Sequence, residues 1–256
     1  SRGLGDVYKR QQTHSMMNEK FADIQYAQIR DYKYAQYFEE RQYNGKTLSE
    51  SERKEFISFV DKIIAQHSEG LPLMARILEC EKEQHGEFHE INRTVASVYL
   101  FVLITMIDCI VAGKYFILAD RDYDRRFMRG KMFVIFNEGF KRLYGFNEKS
   151  HKKSEWDRLL PIMKYFSEAI NRQYQDLTSL LEKQSRTSAW WKDERNYETH
   201  LDSEKLYQSR QEEIIESKVM TDSLKLFNTL IAVSDFLRNV QVCLYNFLVR
   251  KYYRGE

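Results

Sequence analysis

The sequence predicts an all-α protein, a bundle of about six helices, and three observations carry that expectation. Only two prolines and ten glycines occur in 256 residues, and the stretch from Ile162 to Arg254 contains neither. In a helix interior glycine costs about 1 kcal/mol and proline about 3 kcal/mol relative to alanine, so this scarcity is what helices require. No segment sustains the alternation of apolar and polar residues that a half-buried strand shows, whereas apolar residues recur at three- and four-residue spacing in several windows.

The first eleven residues, SRGLGDVYKRQ, match what one frame of a widely used transposon-based sequencing adapter encodes. They are expected to be foreign to the fold, with the natural chain starting at or after Gln12. Residues 12–90 are expected to form an N-terminal helical layer. Within it Ser49 and Glu52 have the spacing of a capping box, in which each satisfies the other's backbone N–H. The stripe Phe56, Phe59, Val60, Ile63 and Ile64 follows directly. Residues 91–256 are expected to form the main bundle, fused with that layer into one domain, since no low-complexity linker or repeat separates them. A second stripe runs Trp156, Leu159, Leu160, Met163, Phe166, Ile170, Leu177 and Leu181. A third, from Phe227 to Phe247, lies on a long C-terminal helix expected over about 203–251. Breaks are expected at Asn44-Gly45, Gly70-Leu71-Pro72, Gly130, Gly145 through Lys153, and Thr187 through Leu201.

Thr94 to Ala119 is the most hydrophobic piece, and its length would nearly span a bilayer. Its uncharged run stops at Ile107; Asp108 and Lys114 follow, and charges near the middle of a lipid-facing helix cost kilocalories each. The sequence therefore predicts a buried central helix and no membrane span. A carboxylate on such a helix needs a donor, so Asp108 is expected either to tether a structural network or to stand beside a site.

Forty basic residues face thirty-eight acidic ones, a formal net charge of +2. No polyelectrolyte tail announces DNA or membrane binding, and any nucleic-acid contact has to come from a local patch. Cys80, Cys109 and Cys243 form no paired motif, which points to free thiols, a reducing compartment and a cytoplasmic protein.

Three groups of residues have the types that chemistry uses. Glu81, His85 and His89 follow one another at four-residue spacing, and two histidines so placed on a helix can chelate a metal. The order HGEFH does not put a glutamate where a zinc-protease helix needs its base, and Gly86 interrupts the helix. A solvated face is the reading taken here, with no metal and no cofactor. The segment Asp120 to Arg142 supplies Arg125, Arg126, Arg129 and Lys131, interleaved with Tyr123 and Phe127, a pattern that can hold phosphates and stack bases. Asp120, Asp122, Asp124 and Glu138 dilute its positive field.

The third group, Arg195-Asn196-Tyr197-Glu198-Thr199-His200, precedes the long C-terminal helix. It resembles the signature of the HEPN superfamily, in which an arginine, usually followed by a polar residue, precedes a histidine with four to six residues between them, near the start of the last long helix of an α-helical bundle. The tyrosine that some toxin members place two positions after the histidine is Asp202 here. The resemblance implies a metal-independent endoribonuclease, of a toxin or phage-defence type, acting as a homodimer on RNA. Arg195, Asn196 and His200 would then be the catalytic residues. The alternatives are a non-catalytic RNA- or nucleotide-binding module and a structural protein-interaction subunit on the same scaffold.

Overall fold

The computed structural model describes residues 48–189, 195–196, 204–205, 207 and 216–249; among them are helices, turns and no strand. The chain's first described helix, α1 (Glu50–Ser68), begins at the expected capping box. Glu52 N–H donates to Ser49 Oγ at 3.3 Å, and Ser49 N–H donates to Glu52 Oε2 at 2.8 Å. Phe56 and Val60 of its stripe are fully buried. The expected break at Gly70 is a single cap residue, Glu69, after which α2 (Gly70–Cys80) starts. Pro72 sits in the first turn of α2, where a missing N–H costs no helical bond.

The central helix is α3 (Glu87–Leu118), seven residues longer at its start than the apolar run suggested. Gly86, with φ +119°, makes the break, and Glu87 and Glu90 occupy the first turn, where the helix dipole favours negative charge. Half of its thirty-two residues are buried, among them Val95, Val102, Met106, Ile110 and Phe116. By length and composition α3 could cross a membrane, but most of its apolar stretch is covered by other helices, as in the core of a soluble protein. Its two interior charges are accounted for separately. Lys114 Nζ reaches Asp61 Oδ1 of α1 at 2.6 Å, while Asp108 opens onto a groove described below. Arg53 of α1 closes the C-terminal end of α3, donating to the Leu118 carbonyl at 2.8 Å and pairing with Asp120.

After a short connection α4 (Asp122–Leu143) runs back along α3. Gly130 does not break it; the helix runs through this buried glycine despite its low propensity. The chain then turns at Gly145, whose φ is +87° and where a Cβ would lie 2.6 Å from the backbone of Ser150 and His151. A single turn, α5 (Glu148–His151), fills the expected break. The second stripe is not one helix. It divides into a 3-10 segment, Asp157–Tyr165, containing Pro161, and α6 (Glu168–Ala189). Asn171 locks the junction by donating to the carbonyls of Met163, Phe166 and Ser167 at 3.0–3.1 Å. Leu160, expected in the stripe, is exposed, because three residues per turn rotate it off the buried face.

The long C-terminal helix is described as α7 (Glu216–Val249), packed on α3 and α6. Its Phe236 meets Trp156, whose ring stacks on Tyr174 at 4.9 Å and whose indole N–H donates to Thr178 Oγ1 at 2.9 Å. Cys109 and Cys243 are buried free thiols; burial pushes Cys243 up to about 12 and Cys109 well above its ordinary value. Cys80 is free and exposed.

α3 and α4 approach each other tightly at Gly139, where an added Cβ would stand 2.6 Å from Thr105 Cγ2. Gly139→Ala should therefore destabilise the protein by about 1–3 kcal/mol despite alanine's better helix propensity. Adding Thr105→Ser, which removes only that methyl, should recover part of the loss in a urea titration. A stabilising Gly139→Ala would mean that the two helices are farther apart than described.

Candidate functional site

Of the resemblance motif, Arg195 and Asn196 fall within the described residues, in helical conformation; His200 lies outside them. Arg195 is held from two sides. Its Nη1 donates to Asn196 Oδ1 at 2.7 Å, and its Nη2 forms an ion pair with Glu138 of α4. The guanidinium side chain is 20% exposed, against 42% for its carboxylate partner. Glu138 thus ties the connection before α7 to the C-terminal half of α4. Its second oxygen lies 3.7 Å from Lys141. The sequence offered Glu138 only as a negative charge among basic residues; nothing local signals a partner fifty-seven positions away.

Glu138 also lines a groove of about 540 Å³ between α3 and α4. Leu100, Phe101 and Ile104 of α3 and Val134 and Ile135 of α4 make its apolar surface, and Asp108 stands on the α3 wall. Arg142 lies over the Phe101 ring at 4.8 Å and donates to Glu155 through Nε and Nη2, both at 3.2 Å. Asp108 makes no hydrogen bond or ion pair among the described residues, so it is not the buried tether that one reading of the sequence foresaw. It is an exposed residue, yet the groove walls remove enough water from its carboxyl to raise its pKa above the ordinary value.

The four basic residues of α4 do not form one exposed stripe. Arg129 is buried at 5% exposure. Arg125 is half-buried and donates to the Ala119 carbonyl at 3.3 Å, where it caps the end of α3. Arg126 is half-buried, and Lys131 places Nζ 4.9 Å from the Phe127 ring centre. Residues at 125 and 129 share a helix face, whereas 131 lies on the opposite side at 100° per residue.

Glu81, His85 and His89 do not share a helix face either, because the turn at Gly86 separates α2 from α3. Among the described residues no group of histidine, cysteine and carboxylate side chains has the makings of a metal site. Glu81 instead anchors a buried polar chain. One oxygen bonds His89 Nδ1 at 2.5 Å, the other accepts from Asn92 at 2.6 Å, and Asn92 Oδ1 accepts from Gln241 of α7 at 2.8 Å. Such a chain joins the α2–α3 turn to α7: Glu81, His89 and Asn92 supply one another's partners, and Gln241 donates into it while its own Oε1 is buried without a partner among the described residues.

Comparison with protein-family models, with curated proteins and with solved structures finds no match to this chain.

The raised pKa of Asp108 has a definite sign for stability. Its contribution is fully present when the carboxyl is protonated, below its ordinary value of 3.8, and is lost as pH rises through the raised folded-state value. Asp108→Asn should therefore melt at a higher temperature than the wild type at neutral pH. The difference should close as pH falls below the ordinary value. A lower melting temperature for the variant at neutral pH would show that the carboxylate accepts a stabilising donor after all.

Proposed function

We infer that this protein is a HEPN-like, metal-independent endoribonuclease of a toxin or phage-defence type, acting on RNA as a homodimer. The observation that carries the reading is the double restraint on Arg195, a guanidinium oriented by Asn196 and by Glu138 in the segment between α6 and α7. The all-α bundle around a buried central helix agrees with the scaffold on which the motif is expected. An oriented fork of N–H donors is what a phosphorane with developing charge needs, and holding it in advance lowers the reorganisation required in the transition state.

In the proposed reaction His200 takes the proton of the ribose 2′-hydroxyl. The 2′-oxygen attacks phosphorus, and the 5′-oxygen leaves with a proton from a second imidazole, yielding a 2′,3′-cyclic phosphate and a 5′-hydroxyl. One histidine serves poorly as both base and acid in a single step, so a second copy of the chain across a two-fold axis would supply the other. Asn196 holds the guanidinium or the phosphate in register. Arg125, Arg126 and Lys131 are then auxiliary phosphate contacts at most, since Arg129 of that group is buried.

The Arg195–Glu138 ion pair also favours a second reading, a non-catalytic RNA- or nucleotide-binding module or a structural subunit, in which the guanidinium serves the fold. Cleavage of single-stranded RNA separates the two. His200→Ala should lower the rate by about 10²–10⁴-fold with binding retained. Arg195→Ala should reduce cleavage and binding together, and Arg195→Lys should restore little, lacking the fork. Excess chelator should leave the rate unchanged, and RNA methylated at the 2′-oxygen should resist. If the intact protein cuts no RNA between about pH 5 and 9, the nuclease reading fails and the binding module takes its place.

A further inference from the structure

We propose that the groove between α3 and α4 is a binding site for a small amphiphilic organic cation, an ammonium or guanidinium group on an apolar body, with Asp108 as the counter-charge. The inference is independent of the nuclease reading.

The charge inventory of the groove leads there. Arg142 is neutralised by Glu155 and lies flat on Phe101. Glu138 is turned toward Arg195 and Lys141. The two hydroxyls on the α3 wall are also engaged: Thr105 Oγ1 donates to the Phe101 carbonyl at 2.9 Å, and Ser97 Oγ accepts from Arg158 at 3.3 Å. Asp108 alone among these polar groups has no partner among the described residues. The rest of the groove's lining is chiefly apolar, with Leu100, Phe101, Val134 and Ile135, and Ile104, one turn away from Asp108 on the same helix, is 45% exposed. A carboxylate beside an exposed apolar surface is complementary to a ligand that brings both a cation and an apolar chain: the cation makes a charge-assisted hydrogen bond and the chain covers Ile104 and Ile135. The volume of about 540 Å³ lies within the range of small-molecule sites. An anion or a nucleic-acid backbone is disfavoured in the same place, because the unpaired charge is negative.

Three eight-carbon probes below their micellar concentrations test the assignment: octylammonium, 1-octanol and octyl sulfate. Binding is followed by the methyl resonances of Ile104 and Ile135 and by calorimetry. Octylammonium should bind at least about tenfold more tightly than octanol, the scale of one charge-assisted hydrogen bond, and octyl sulfate should bind more weakly than either. Asp108→Asn should erase the preference for the ammonium while octanol binding persists. Ile104→Asn should weaken all three, with melting curves confirming that both variants are folded. Equal binding of ammonium and alcohol, an unchanged preference in Asp108→Asn, tighter binding of the sulfate, or binding by none of the probes would each overturn the proposal.

Discussion

The burial of α3 is the constraint on which the rest of the structure depends. A helix with this much apolar surface cannot stand in water, and each large side chain taken out of solvent contributes about 1.5–3 kcal/mol. The neighbouring elements carry the complementary faces. Phe56 and Val60 of α1, Met74 of α2, Phe133, Phe136 and Phe140 of α4, and Leu230, Val233 and Leu237 of α7 all belong to the same buried cluster as α3. Close approach is enforced at Gly139 against Thr105 and secured at the ends by Arg53 and by the Glu81–Asn92–Gln241 chain. The polar contacts set the register of a packing that apolar area drives.

The same packing decides what the remaining charges can do. Arg129 is enclosed and Arg125 is turned onto the Ala119 carbonyl, so the α4 segment presents less positive surface than its composition suggests. What stays open is a groove with one unpaired carboxylate, and at its edge Glu138 grips Arg195. An arginine paired this way either is positioned for a phosphate or is committed to the fold, and the chemistry of single-stranded RNA distinguishes the two.

Much of the fold was legible from the sequence. The Ser49–Glu52 box, the buried central helix and the long C-terminal helix follow from capping chemistry and apolar spacing, which act within one helical turn. The errors have local causes that a single-residue rule cannot weigh. Gly130 signals a break by propensity but lies buried inside α4. Pro161 and Asn171 divide a stripe that periodicity alone reads as continuous. The site was less legible because its links span the chain. Glu138 reaches Arg195, and Asn92 reaches Gln241, and no spacing rule predicts a partner at such separation. For Asp108 the sequence raised the right question, since only the neighbouring helix determines whether a polar residue on an apolar helix is enclosed or faces a groove.

Native-state amide hydrogen exchange in detergent-free buffer tests most sharply whether α3 is the enclosed core of the bundle. The amides from Val95 to Ile110 should exchange only through global unfolding, with the highest protection in the molecule, and those of α1 and the 3-10 segment should exchange faster. Protection of α3 that is no greater than that of the surface helices, or that appears only when detergent or lipid is added, would contradict it.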